Sequence, residues 1–470
     1  MLWKWLIPVG VVGLFALFMV WSPGGDITST PRFWRDEAIP FEIARGWAET
    51  GMLDVVVAPG ITNTFSYLTH ATGFPVTLPL GIVFWIFGAS LFIARVYMLV
   101  WIAVALASVF FVARSFFGKS ESLAAVMLVG TFSSFYANGR TVTGEIPGLV
   151  FLLWALFFIY KKEWLGWGGL LLGLAVVTKP SMYLLVLPAI ALEVIITRRG
   201  LFLKDGLKLA QGVIPILLLW FYIIVPQFFE LSSWQGMIAL YQQPFNEASL
   251  LSQFPTGLWS FFFHSTIFYF LMTTAIVVYT QRGRLFDSQS KRMIFFVLLY
   301  GICALVYVLR SPGWFRFLVG YEVLILIGVV PALFFFAKKI HLPQGAFVAV
   351  FVVLHMVNYF FLSNIPSGST AIQASQTVRV LLSTHPEATI GFVRLPTVAP
   401  FVDSWHKYQF GDIGGHETYG VHPLSYAPEK LPTYLASYDD RYEGFEEVLD
   451  RYYRSTNIKI FSNTMLYIRR

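Results

Sequence analysis

The chain has 470 residues, of which 57% are hydrophobic, 18% aromatic and only 13% charged, with a net charge of +7. Soluble domains carry about 25% charged residues, so the composition excludes an ordinary soluble protein and points to a membrane. The basic residues fall in short clusters between apolar segments, as in cytoplasmic loops, which argues against a nucleic-acid partner.

In chain order, Trp3 to Trp21 is the first apolar stretch and is long enough to span a bilayer. It exceeds the usual apolar core of a signal peptide, and Trp21-Ser22-Pro23 is a poor cleavage site, so it reads as a retained span. Further apolar segments recur near 95–113, 121–137, 147–160, 164–178, 181–197, 209–229, 258–279, 293–309, 317–336 and 345–362. Together they predict a mainly α, polytopic membrane protein of about eleven transmembrane helices. Pro75 to Leu91 is also apolar, but two prolines and two glycines in so short a run predict a helix that lies on the surface or dips partway in.

Alternate connections are basic: Arg114 with Lys119; Lys161 and Lys162; Arg198, Arg199, Lys204 and Lys208; Arg282, Arg284, Lys291 and Arg292; Lys338 and Lys339. The positive-inside rule makes these cytoplasmic, with the N-terminus inside and the tail outside. Residues 1–362 then form a transmembrane domain with a first outer loop at 22–94, and 363–470 form an extracytoplasmic soluble domain. In that tail, Ala388–Val393, Pro432–Ser437 and Ile458–Ser462 read as short strands, and Glu443–Arg454 has helical spacing. A small α/β domain is the expected result.

The first outer loop contains Arg35-Asp36-Glu37-Ala38-Ile39-Pro40 and ends near Gly51. Pro40 near a helix start, acids before it and the closing glycine frame a short helix. Ile39, Ile43, Gly46 and Trp47 predict an amphipathic helix along the membrane surface, with Asp36 and Glu37 at its N-terminal edge facing water. Carboxylates beside a bilayer are costly and usually functional. Capping of this helix is the plainer reading and stands at about even weight on spacing alone.

Other outward charges come from distant segments: Arg140 and Glu145 in 138–147, Lys179 at a tight turn, and Arg316 at the start of a helix. Each alone is more often an interfacial snorkelling residue. Gathered on one face with Asp36 and Glu37, such cations suit a phosphate-bearing lipid and a hydroxyl acceptor. Glu230 to Gly257 is a further outer loop, where Trp234 and Tyr241 could stack on carbohydrate or merely line an interface.

The string Asp36-Glu37-Ala38-Ile39-Pro40-Phe41-Glu42-Ile43-Ala44-Arg45 resembles the first-loop motif of the GT-C membrane glycosyltransferases. The similar branch contains protein O-mannosyltransferases and lipid A aminoarabinose transferases. Trp85-Ile86-Phe87-Gly88, Ala94-Arg95, Arg114–Gly118, Gly173–Lys179 and Arg316-Phe317 follow in that branch's order, so the resemblance covers roughly 1–340. It implies an inverting transferase that moves a sugar from a polyprenyl-phosphate carrier to an acceptor glycan, lipid or protein on the extracytoplasmic face of a cell membrane. Asp36 would be the general base, with Glu37 beside it; Lys179, Arg316 and Arg140 would hold the donor phosphate. Arg45, Glu145, Trp234 and Tyr241 fall in the substrate region. The chain departs from the family at Pro40, where many relatives carry Tyr, and at Thr72-Gly73-Phe74-Pro75-Val76, where they start a helix with Lys-Pro or Pro-Pro.

The rival class is a lipid or sugar transporter or flippase, which would place ionisable residues at the bilayer midplane in broken helices. A receptor-like membrane protein with a binding tail leaves the acidic motif unexplained. No cofactor is required; a divalent cation, Mg or Mn, could sit on Asp36, Glu37 and Glu145 but need not. His406, His416 and His422 are too widely spaced to form a convincing metal site, and the lone Cys303 provides no cysteine-based one.

Overall fold

The computed structural model describes residues 27–62, 70–198, 200–225, 231–246, 252, 288–311, 315–359, 367–368, 370–393, 395, 397–410, 431–438, 445–461 and 464–470. The expected spans at 3–21 and 258–279, with His416 and His422, lie outside these residues.

The chain is mainly helical. Helix α1 (Arg35–Thr50) is followed by a two-stranded hairpin, β1 (Val56–Ala58) and β2 (Ile61–Thr62), and then by α2 (Phe74–Phe87). A bundle continues through α3 (Leu91–Phe116), α4 (Lys119–Gly130), α5 (Ser133–Gly139), α6 (Glu145–Phe157) and α7 (Leu165–Thr178). It is completed by α8 (Pro180–Tyr183), α9 (Val186–Thr197), α10 (Phe202–Ile224), α11 (Leu231–Asn246), α12 (Ser288–Arg310), α13 (Val319–Lys339) and α14 (Gln344–Val357).

Among the described residues, five helical stretches are long and apolar enough to cross a membrane: Leu91–Phe116, Pro180–Thr197, Phe202–Ile224, Arg292–Arg310 and Arg316–Lys339. Their positions in the bundle differ. The Arg316–Lys339 stretch is 89% buried over its apolar window, whereas Phe202–Ile224 is only 28% buried and lies at the periphery. Helix α2, at 14 residues, is about 21 Å long and shorter than the roughly 30 Å hydrocarbon core. The main core joins α3 to α6 with α12 and α13 through Leu128, Leu149, Leu153, Phe296, Tyr300 and Leu326.

Beyond the bundle, α15 (Thr370–Thr384) precedes β3 (Ile390–Val393), β4 (Lys407–Phe410), β5 (Tyr434–Tyr438), α16 (Phe445–Tyr452), β6 (Tyr453–Phe461) and β7 (Thr464–Arg469). The five strands form one mixed sheet in the order β4-β3-β5-β7-β6. Strand β3 is parallel to β4 and β5, and β7 is antiparallel to β5 and β6. Alternation sorts its side chains. Ile390, Phe392, Tyr434 and Ala436 face α15 through Ala374 and Val378, while Val393, Leu435 and Phe410 meet α16 through Val448. The strands expected near 388–393, 432–437 and 458–462 and the helix near 443–454 thus have counterparts here. Strands β4 and β7 escaped the reading, although Ser462-Asn463 offered a turn signal before β7.

The surface helix expected in the first loop is corrected by the fold. It starts at Arg35, five residues before Pro40, so Asp36 and Glu37 lie in its first turn. Residues Glu37 to Gly46 are all buried. Ile39 and Ile43 pack on Val55 and Val57, and Phe41 and Ala44 on Val76, Leu80 and Met98. An apolar face that finds protein partners is covered by them and has no need of lipid.

Candidate active site

The first turn of α1 separates the two acids of the pair. Glu37 turns inward and is fully buried. Arg95 of α3 grips it with two hydrogen bonds, Nε to Oε1 at 3.0 Å and Nη2 to Oε2 at 2.8 Å. The Val142 amide donates to Oε1 at 3.3 Å, and Arg95 Nη1 donates to the Ile27 carbonyl at 2.6 Å. Burial pushes the Glu37 carboxyl above its usual value, and Arg95 and the Val142 amide recover only part of that. The expectation that Glu37 faces water is therefore corrected: its two oxygens are engaged inside the protein.

Asp36, one residue earlier, points the other way. Its side chain is 31% exposed and forms an ion pair with Arg316. Burial pushes the Asp36 carboxyl up, but the charges of Arg316 and Lys179, the hydrogen bond from Arg316 and the charge of Arg35 outweigh it, leaving its pKa below the usual value. Arg316 is itself pinned between rings, 4.7 Å from the centroid of Trp34 and 5.1 Å from that of Phe317. Its Nη1 is buried and has no hydrogen-bond partner among the described residues.

Lys179 reaches this cluster from the end of α7. The turn Val177-Thr178-Lys179 is a hub on which two loops converge. The Gly73 amide donates to the Thr178 carbonyl at 3.2 Å. A Cβ at Gly73 would come within 1.9 Å of the Val177 carbonyl oxygen, and one at Gly144 within 2.1 Å of the Thr178 oxygen. Only glycine lets both loops approach so closely. This packing brings the start of α6 against Lys179, whose ammonium lies 3.5 Å from Glu145 Oε1. Both side chains are buried, and neither Glu145 oxygen accepts a hydrogen bond among the described residues.

Four of the expected site residues are thus brought together: Asp36, Lys179, Arg316 and Glu145. Arg140, in the loop before α6, is buried. Trp234 packs its ring 5.0 Å from Phe221 in an apolar cluster that includes Val177. Tyr241 belongs to α11, and its side chain lies outside the described residues.

Arg45 is placed elsewhere. Its Nε donates to Glu49 at 2.5 Å, Nη1 to the Pro400 carbonyl at 2.6 Å and Nη2 to Asp403 at 3.1 Å. Glu42, one turn earlier, pairs with Lys407 and accepts from Gln409 at 3.1 Å. These residues form a seam that fastens α1 to edge strand β4. Reading the sequence missed Lys407 and Gln409; a lysine and a glutamine at alternate positions of a strand were the available signal. It also undervalued Arg95, although the Ala94-Arg95 pair had been noted. Among the described residues, no three His, Cys, Asp or Glu side chains cluster as a metal site.

Comparison with known proteins finds a family match over part of the chain and a shared fold over most of it. Residues 75–224 match the family described as dolichyl-phosphate-mannose-protein mannosyltransferase. No curated protein sequence matches the chain. ArnT from Cupriavidus metallidurans bound to undecaprenyl phosphate is similar in structure, with a TM-score of 0.60 at 12% identity, covering 98% of this chain and 97% of that one. The apo oligosaccharyltransferase of Archaeoglobus fulgidus gives 0.59 at 11% identity, covering 93% and 70%. The same organism's AglB in complex with an inhibitory peptide and a dolichol-phosphate gives 0.53 at 12% identity, covering 96% and 72%. At such identities the likeness is one of fold. The family match covers 75–224, and over the rest of the chain the likeness is to the fold of these solved proteins.

Proposed function

We propose that the chain is a membrane glycosyltransferase that moves a sugar, with inversion, from a polyprenyl-phosphate-linked donor to an acceptor hydroxyl. The observation that carries this reading is the pairing of a part-exposed carboxylate, Asp36, with Arg316 and within the field of Lys179. A base for the acceptor and two cations for a phosphate are what such a transfer needs. The neighbours bound to undecaprenyl phosphate and to a dolichol-phosphate favour a lipid phosphate as the carrier.

The geometry supports a sequence of events. In the free protein Arg316 neutralises Asp36 and keeps it a weak base. A donor phosphate entering the cluster competes for Arg316, whose Nη1 has no hydrogen-bond partner among the described residues, and for Lys179. As those charges turn to the phosphate, Asp36 regains basicity and accepts the proton of the acceptor hydroxyl. The acceptor oxygen then bonds to the anomeric carbon while the bond from that carbon to the phosphate oxygen breaks. The electron pair leaves with the lipid phosphate, which Lys179 and Arg316 stabilise. Glu145 holds Lys179 near this position between turnovers, and Glu37 anchors the turn that aims Asp36.

By the basic-loop pattern this face is extracytoplasmic, and the sheet at 390–469, fastened to α1, lies on the same side. The test is single-turnover transfer from a labelled polyprenyl-phosphate sugar by purified protein. General-base assistance is worth about 10²–10⁴-fold, so Asp36→Asn should lose that much rate with the fold intact. Near-normal transfer by this variant would end the assignment of Asp36 as base.

A further inference from the structure

The segment that leads into α1 is tied down before it reaches Arg35. The Ile27 carbonyl accepts from Arg95 Nη1 at 2.6 Å, and the Ser29 carbonyl accepts from the Gly368 amide at 2.9 Å. The Phe33 ring lies 5.1 Å from Phe401 and 6.3 Å from Phe41. Phe33 and Trp34, adjacent at the end of this segment, are treated in opposite ways. Phe33 is 2% exposed and clusters with Ala38 and Leu91. Trp34 is 38% exposed and, among the described residues, belongs to no apolar cluster. A large ring left partly in water gains little from burial, so its placement calls for another reason.

What Trp34 holds is Arg316. The guanidinium carbon lies over the Trp34 ring at 4.7 Å from its centroid, and over Phe317 at 5.1 Å. Phe317 is buried and packs edge-on against Tyr307 at 5.6 Å, so it is a wall of the bundle core. Trp34 is the wall supplied by the first loop. A ring that engages a guanidinium uses none of its N–H donors, which lie in the guanidinium plane. Nη2 reaches Asp36, and Nη1 has no hydrogen-bond partner among the described residues. A fork held in this way can keep Asp36 on one nitrogen while it presents the other to a phosphate.

The backbone of Trp34 has a separate task. Its carbonyl accepts from the Glu37 amide at 3.1 Å and the Ala38 amide at 3.0 Å, which starts α1. Any residue at this position supplies that carbonyl, so the side chain can be changed without removing the helix start.

We propose that Trp34 is a positioning residue for the transfer: its ring holds Arg316 in place while the guanidinium exchanges Asp36 for the donor phosphate. The ring acts through Arg316 and not on the lipid. This rests on the reading of Arg316 as a phosphate ligand.

The experiment measures binding of undecaprenyl phosphate to the purified full chain in nanodiscs, for wild type, Trp34→Leu, Trp34→Phe, Arg316→Gln and Trp34→Leu/Arg316→Gln. Trp34→Leu should weaken binding about 2- to 30-fold, the range of a cation–π contact. Trp34→Phe should restore most of it, because leucine keeps apolar bulk and only phenylalanine keeps a π face. Thermal stability should hold in both. In the Arg316→Gln background, Trp34→Leu should have no further effect. An equal loss in both backgrounds would show that the ring touches the lipid itself and would overturn the positioning role. A fall in stability shared by Trp34→Leu and Trp34→Phe would mark the ring as structural and overturn it too. Tight binding by Trp34→Leu beside weak binding by Arg316→Gln would remove Trp34 alone. Tight binding by Arg316→Gln would end the phosphate reading of Arg316 and the proposal with it, so the two failures are told apart.

Discussion

Helix α1 carries charges at two places that could hardly be treated more differently. At the seam with β4, Glu42, Arg45, Glu49, Asp403, Ser404 and Lys407 meet through directed contacts, and Lys407 is almost fully buried. At the first turn, Asp36 keeps a share of solvent and faces a guanidinium with one donor unpaired among the described residues. Buried paired charges such as Glu42 and Lys407 resist rearrangement, because moving one leaves the other uncompensated at low dielectric. Charges that remain half-solvated can exchange partners with a ligand. The seam is suited to holding the helix, and the first turn to chemistry.

The contrast can be broken most severely at Glu37. Glu37→Gln leaves Arg95 buried without its counter-charge, and breaking such a pair costs about 3–5 kcal/mol. Denaturation in detergent should show that loss, and the remaining folded protein should keep much of its turnover. If Glu37→Gln were as stable as wild type but inactive, Glu37 would belong to the chemistry.

The seam gives the next effect. Burial pushes the Lys407 ammonium below its usual value, while Glu42 holds it up. Lys407→Met removes one charge and strands Glu42, so stability should fall by about 1–3 kcal/mol or more. The double variant Glu42→Gln/Lys407→Met should recover part of the loss. A double-mutant cycle with no coupling would show that the seam is not a working pair.

At the first turn, Lys179→Ala should weaken a polyprenyl-phosphate analogue by about 10- to 100-fold, the worth of a charged hydrogen bond of about 1.5–3 kcal/mol. Folding should suffer as well, because buried Glu145 loses the cation it pairs with at 3.5 Å, so binding is measured on the folded fraction. Equal affinity in wild type and variant would remove the lysine from the phosphate site.

The smallest effect is a shift on the pH axis. The Asp36 carboxyl is held below its ordinary value of 3.8. It is therefore ionised at neutral pH, and its ion-pair stabilisation is present above that value and lost as pH falls through the lowered folded pKa. Arg316→Gln removes the largest opposing charge, so burial then drives the carboxyl upward. The acid limb of transfer rate against pH should move to higher pH in the variant. A limb that stays in place would mean that Arg316 does not tune Asp36.

Much of this was legible from local pattern. Hydrophobic runs report membrane helices because burial in lipid demands them continuously, and period-two segments marked three of the five strands. The acidic pair and the cations at turns could be picked out because charge beside a bilayer is rare. Which acid turns inward was not readable, since Asp36 and Glu37 are adjacent and chemically alike. Their fates depend on Arg95, 58 residues from Glu37, and on Arg316. Arg45 looked like a site residue for the same reason, until Pro400 and Asp403, more than 350 positions away, claimed its donors. Sequence alone determined that the chain enters a membrane and which charges were worth watching. Tertiary structure decided their roles, because a charge's partner and its access to water are set by long-range packing and not by its neighbours along the chain.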